Sequence, residues 1–278
     1  MISPRGKDFM QLTPQQLVDY VRDGYLAVEG LLDGHEVVAL RNRLEEYTHG
    51  DRSCRQIVIT MEPRVERGEL HVDYPGDGIR KIDELVEHDD LYRALGLHQN
   101  IVGVIEQILG PDLKMFRNSL LLKPPSVGSQ KGMHQDSPYW PIEPMALCSC
   151  WFAIDDATLE NGCMGVLPGG HKRGPLPHES VTDDFVIEPS AYNMDKMKMA
   201  PLKAGGGLFF HSLLPHHTAP NRSDKWRRAI ALSYMSARSL FTGVEPQHGF
   251  GESHDSKLSN GGPQYFHVQG KTYPGHVR

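Results

Sequence analysis

At several points in this chain a histidine and an aspartate stand two residues apart, among them His71-Val72-Asp73, His88-Asp89-Asp90 and His134-Gln135-Asp136. Residues i and i+2 of a strand point to the same face, so such a pair can present an imidazole and a carboxylate to one ion. With a second histidine from elsewhere, that makes three donors on one face of an octahedron. This set suits iron(II) and leaves three positions open for small molecules. Fifteen histidines make chance pairs common, so surroundings have to select among the three. His88 and Asp90 belong to an acidic patch at a helix start, where carboxylates favour the helix dipole without any metal. His71 and Asp73 lie in a loop-rich stretch that ends Tyr74-Pro75-Gly76. His134 and Asp136 come after a strand, follow Gly132-Met133 and precede Ser137-Pro138-Tyr139-Trp140.

The third donor has to come from a distant strand. Gly205-Gly206-Gly207-Leu208-Phe209-Phe210-His211 reads as a glycine-led strand, followed by Ser212-Leu213-Leu214-Pro215-His216-His217-Thr218. His211 sits within the strand and suits packing or a place behind the ligands. His216 is the candidate donor, with His217 as its alternative. Eleven residues past His216, Arg227 opens an alternating strand. A buried arginine there has a chemical use, because its planar fork binds a carboxylate bidentately and would anchor a dicarboxylate whose other end chelates the metal. Ser119, Leu121 and Lys123 alternate along an earlier strand and its end, and so share one face.

The elements that must position these residues change along the chain. Thr13-Pro14-Gln15-Gln16 is a helix start with a hydroxyl cap, proline at the first helical position and a glutamine to close a capping box. Gly24 stops that helix, and residues 25–28 read as a short strand. A second helix is predicted over 36–47, with Val37, Leu40 and Leu44 on one face. Residues 52–80 are polar, broken by Pro63, Gly68, Pro75 and Gly76, and read as long loops. A third helical region runs over 91–109 and ends at Gly110-Pro111. Short strands then follow over 113–122, 146–154, 163–167, 207–211 and 227–235. A mainly helical part (1–112), an antiparallel core (113–239) and an irregular tail (240–278) form one domain. The fold class is an all-β core with added helices, and evenly spaced short strands predict a double-sheet jelly roll or barrel.

Composition narrows the function. The chain of 278 residues is 39% hydrophobic and 23% charged, which supports a packed core. It carries 35 acidic and 29 basic side chains, with no long basic run, so nucleic acid and anionic membranes are poor partners. Cys54, Cys148, Cys150 and Cys163 form no regular framework and read as reduced thiols of a cytoplasmic protein. Residues 1–10 lack the apolar run of a secretory signal, and no stretch approaches a membrane span. A monomer or homodimer acting on a small molecule is expected.

Taken together, the motifs resemble the phytanoyl-CoA dioxygenase family of iron- and 2-oxoglutarate-dependent oxygenases. The resemblance spans residues 24–237. It rests on Leu122-Lys123-Pro124-Pro125, on His134-Gln135-Asp136, and on Glu160-Asn161-Gly162-Cys163 leading into Leu167-Pro168-Gly169-Gly170-His171-Lys172. His216 through Asn221 and Ser223 to Arg227 complete the set. The family usually has Ser where Gly170 stands and a small residue where His217 stands. The resemblance implies a double-stranded β-helix of the cupin-like kind. It implies His134, Asp136 and His216 as iron(II) ligands and Arg227 as the anchor of 2-oxoglutarate. Trp151, Ser119 and Leu121 would then line the co-substrate pocket, and Trp140 and Lys123 would lie near the substrate. The implied reaction takes up dioxygen, releases succinate and carbon dioxide, and hydroxylates an unactivated C–H bond. Related halogenases lack the carboxylate that Asp136 supplies. The rivals are a cupin-like zinc or manganese hydrolase or isomerase using the same donors, and a non-catalytic ligand-binding barrel.

Overall fold

The computed structural model describes residues 9–139, 142–241 and 266–273. Helix α1 (Pro14–Asp23) starts at Thr13, whose side chain accepts from the Gln16 amide while Gln16 reaches back to the Thr13 amide. Gly24 ends it in the left-handed region, φ 82°, and a Cβ there would run into the His171 ring. Strand β1 (Tyr25–Val28) follows. Helix α2 (Gly34–Thr48) is capped by Asp33 with Glu36 closing the box, so it starts two residues earlier than the apolar periodicity suggests.

Residues 52–80, expected as loops, contain strand β2 (Val58–Met61) and the short helix α3 (Pro63–Glu66), and lead into β3 (Ile79–Asp83). The apolar run Val58-Ile59-Thr60-Met61 is a strand signal, and polar neighbours on both sides hide it. The helical region over 91–109 is broken. After α4 (Leu85–His88), α5 (Asp90–Gly96) stops before His98, whose ring caps α6 (Gln99–Leu109). Asp89 caps α5 and binds Arg43, so the acidic patch around His88 serves a helix start, as its composition suggests.

Strands β4 (Leu113–Lys123), β7 (Leu147–Ala153), β12 (Gly207–His211) and β14 (Arg227–Ser236) match the sequence reading within a residue or two. Between and around them lie β5 (Lys131–His134), β6 (Ile142–Glu143), β8 (Met164–Val166), β9 (His178–Val181), β10 (Asp184–Ile187), β11 (Lys198–Ala200) and β13 (His216–Thr218). Two short strands of the last forty residues complete the set, β15 (Leu240–Phe241) against β6 and β16 (Phe266–Gln269) against β4.

The major sheet runs β1-β12-β7-β14-β4-β3-β2, and the smaller one runs β11-β8-β13-β5. Alternation places the core. In the major sheet Cys150, Phe152, Phe209, Ile230, Leu232 and Tyr234 pack with the helices. Their neighbours Trp151, Ala153, Leu208, Phe210 and Ala229 turn the other way, toward Val166 and Met164 of the smaller sheet. Helices therefore cover the outer face, and the two sheets enclose one cavity of about 360 Å³ lined from both. This is a double-stranded β-helix with helical additions.

The link from β13 to β14 carries Asn221, which is 2% exposed. Its Nδ2 donates to the carbonyls of Lys123, Pro124 and Lys225, and its Oδ1 accepts from Ser223. The knot fixes where Arg227 begins relative to His216. Removing the amide leaves buried carbonyls unpaired, which costs about 2 kcal/mol. Asn221→Ala is expected to lower the denaturant midpoint with an unchanged m-value, measured by equilibrium unfolding. An unshifted midpoint would mean that water replaces the amide.

Candidate metal centre

Antiparallel pairing sets His216 of β13 opposite His134 of β5, with ring centroids 4.1 Å apart. Asp136 lies two residues past the end of β5, and its amide donates to the Ser212 carbonyl at 2.9 Å. Its Oδ1 is 3.8 Å from His134 Nε2 and 3.9 Å from His216 Nε2. The three donor atoms lie within 4.8 Å of one another.

The donor chemistry fits a metal. His134 Nδ1 is 2.8 Å from the Gly132 carbonyl, and His216 Nδ1 is 2.9 Å from the Leu214 carbonyl. A carbonyl can only accept, so each Nδ1 carries the proton and each Nε2 lone pair is left for an ion. Burial, and then the neighbouring His216, hold His134 well below the usual imidazole range, which keeps it neutral. Gln135, between two of the donors, points away and is fully buried. Its amide donates to the Gly174 and Leu213 carbonyls and its Oε1 accepts from the Leu176 amide. Those bonds fasten the end of β5 to Leu213, just before β13, and to the stretch that leads into β9. Nothing in the sequence marks Gln135 beyond its place inside the motif.

The other histidines fall elsewhere. His71 and Asp73 have side chains 89% and 103% exposed, and His88 and Asp90 are exposed as well. His211 ends β12, packs beside His171 with ring centroids 5.2 Å apart, and is pushed down to about 4 by burial. His217 turns to the opposite side of β13 from His216 and packs over Gly165.

Arg227 is 2% exposed and lines the same cavity. Its guanidinium lies 5.2 Å from the centre of the Trp151 ring, and its one hydrogen bond among the described residues runs to the Leu121 carbonyl at 3.3 Å. Its Nε has no partner among the described residues. Burial draws its pKa down to about 10. Arg228, next in sequence, is paired with Asp155 and Glu45, so it is not the free cation. Ser119 and Leu121 line the cavity, as does Lys123. The Ser119 hydroxyl donates to Asp83 and accepts from Arg117 Nε. The Lys123 nitrogen is bonded to the carbonyls of Ser129 and Ala219, and burial followed by Arg227 brings it down to about 6. Trp140 lies outside the described residues. Sequence reasoning missed Arg80, Lys81, Asp83 and Arg117, which sit around the cavity; the charged run in Ile79-Arg80-Lys81-Ile82-Asp83 was their signal.

A family model described as phytanoyl-CoA dioxygenase matches residues 20–229. Human peroxisomal phytanoyl-CoA dioxygenase is 27% identical over 84% of this chain and 71% of its own length. Among solved structures, the non-heme alpha ketoglutarate dependent carbocyclase SnoK from nogalamycin biosynthesis superposes with a TM-score of 0.71 at 24% identity, covering 94% of this chain and 97% of that one. The epimerase SnoN in complex with Fe3+, alpha ketoglutarate and nogalamycin RO superposes with a TM-score of 0.63 at 22% identity, covering 86% of this chain and 95% of that one.

If the converging donors hold the ion, His134→Ala and His216→Ala should each lose iron on reconstitution while keeping the circular dichroism of the fold. His71→Ala and His88→Ala should keep it. Metal content after desalting is the measurement, and iron lost from the His71 variant but kept by the His134 variant would overturn the site.

Proposed function

Because the chain belongs to the phytanoyl-CoA dioxygenase family, whose members use iron(II), 2-oxoglutarate and dioxygen, we propose that it hydroxylates an unactivated C–H bond of a small molecule and releases succinate and carbon dioxide. The observation that carries this reading is Arg227, a buried cation beside the triad with one long carbonyl contact and an unpartnered Nε. An unpaired buried charge costs several kcal/mol, so its place in the cavity wall calls for an anion supplied from outside. A dicarboxylate that reaches from the metal to the guanidinium meets that need. A zinc or manganese hydrolase using the same donors would have no use for it.

The residues divide the work. His134, Asp136 and His216 would hold the iron through two Nε2 atoms and Oδ1, with the tautomers fixed by Gly132 and Leu214. Bound there, the metal supplies activation of dioxygen against a strong C–H bond. Arg227 orients the distal carboxylate of the co-substrate, and the Leu121 carbonyl and Trp151 ring hold the guanidinium in place. Phe210, 4.8 Å from the His216 ring, and Trp151 form an apolar wall that excludes water on the co-substrate side. The four cysteines are free thiols, which supports a cytoplasmic location. Among the described residues no helix is long and apolar enough to cross a membrane.

Arg227→Ala is expected to raise the KM for 2-oxoglutarate far more than that for the prime substrate, a loss on the order of 2–5 kcal/mol for a buried charge-assisted pair. In that variant a monocarboxylate 2-oxo acid should lose its disadvantage. Succinate formation against co-substrate concentration measures both, and unchanged kinetics would leave Arg227 a packing residue.

As a ligand, the Asp136 carboxylate would take the coordination position that a halide needs. Wild-type protein in chloride or bromide buffer should therefore give product that has gained oxygen from dioxygen and no halogen. Asp136→Gly should lose most turnover. Mass spectrometry with labelled dioxygen tests this, and a halide-dependent mass shift would sink the hydroxylase reading.

A further inference from the structure

The cavity wall holds more positive charge than the metal and one dicarboxylate would use. Lys81 and Arg117 share Asp83, at 2.8 and 3.9 Å. Lys131 is paired with Asp184. Lys123 is bonded to carbonyls, and Glu62, 1% exposed, adds its charge on that side. Arg80 is different. It is half-buried and lines the cavity, yet no described carboxylate comes within 4 Å of it. Its one hydrogen bond is a long 3.5 Å contact to the Gln130 carbonyl. Glu66 and Asp183 stand at the rim, and Asp183 is paired with Arg67.

The backbone aims Arg80 inward. Lys81 faces the cavity with Asp83, so its neighbour Arg80 would ordinarily point to the other side of the sheet. The pairing of β2 with β3 shifts at this point: Thr60 lies opposite Lys81 while Met61 lies opposite Ile79, which leaves Arg80 as the extra residue of a bulge. Bulges re-aim side chains in this way, often beside functional sites. Two further cations lie near it, Lys81 and Lys131, each of whose ammonium groups feels the guanidinium as a like charge, as does the Lys123 amine that burial has already brought down to about 6. A guanidinium held near other cations, with one long carbonyl contact and no carboxylate partner among the described residues, favours an anionic ligand. Met61, Pro63 and Phe185 supply apolar surface around it.

We propose that Arg80 binds an anionic head group of the prime substrate, a carboxylate or a phosphate monoester on an apolar body, and so sets which molecule is presented to the metal. Both groups match the planar fork of an arginine. This rests on the oxygenase reading, but Arg80 is neither one of the three donors nor a partner of Arg227, so the two ideas fail separately. Iron and 2-oxoglutarate binding, measured first on the same preparation, test that reading alone.

The experiment uses the iron(II)- and 2-oxoglutarate-loaded protein without oxygen and a matched panel: aliphatic and aromatic monocarboxylic acids, their primary amides, and phosphate monoesters of the corresponding alcohols. Substrate entry is read from the change in the visible band of the loaded protein, and then from succinate formation on adding oxygen. Wild type should bind acids or phosphate esters at least about tenfold tighter than the amides, the size of one charge-assisted hydrogen bond. Arg80→Gln should erase that preference with 2-oxoglutarate affinity and melting temperature unchanged, and Arg80→Lys should restore part of it. Whichever arm collapses in Arg80→Gln identifies the head group. Amides that bind wild type as tightly as the acids, or an anion preference that survives Arg80→Gln, would overturn the proposal.

Discussion

Antiparallel pairing of β5 with β13 puts two imidazoles from opposite halves of the chain face to face, and the rest of the site depends on that register. Side chains of a strand alternate, so a slip by one residue would turn His216 outward and bring His217 in its place. The structure guards against this on both strands. Each ring is tied through Nδ1 to the carbonyl two residues before it, and Gln135 bonds β5 to Leu213, close before β13. His217 fills the opposite face over Gly165, where any side chain on that glycine would collide with it. Which histidines converge on Asp136 is thus set by backbone hydrogen bonds as much as by side-chain identity.

Charge is the second organising force. Arg227 and Arg228 are neighbours with opposite environments: one paired at short range with Asp155 and Glu45, the other enclosed over Trp151 with a single carbonyl. Alternation along β14 separates them, sending Arg228 to the helix side and Arg227 into the cavity. Holding a guanidinium unpaired in a low-dielectric wall lowers stability while it strengthens attraction for an arriving carboxylate. The same reasoning applies more weakly to Arg80, which keeps partial contact with water.

Much of this was legible in the sequence where residue type and period agree. Residues 207–211 are a glycine-led apolar run and 227–235 alternate, and the observed strands coincide with them or extend one residue further. The neighbours of the His-x-Asp pair at 134 favour it only modestly over those at 71 and 88, and the C-terminal residues around His216 and Arg227 break the tie; the structure leaves the other two in water or beside a helix cap. Strands β5 and β13 were not legible, because Lys-Gly-Met-His and His-His-Thr are too short and polar to show a period. Their strand character comes from pairing with one another and with β8, which is a tertiary effect. The bulge at Arg80 was hidden for a related reason. A register shift is a property of two strands together, and the polar stretch around β2 concealed the first of them.

The ribbon of β2 and β3 joins the major sheet only through β4. The ribbon packs Ile79 and Ile82 into the core, but the inner order β12-β7-β14-β4 is held by its own pairings. His134, Asp136, His216 and Arg227 all come later in the chain than this ribbon, whereas Arg80 lies within it. The architecture is therefore modular: the strands that bring His134 and His216 together and the ribbon that carries Arg80 have no strand in common, so residues 58–83 could be rebuilt without resetting the register of β5 against β13.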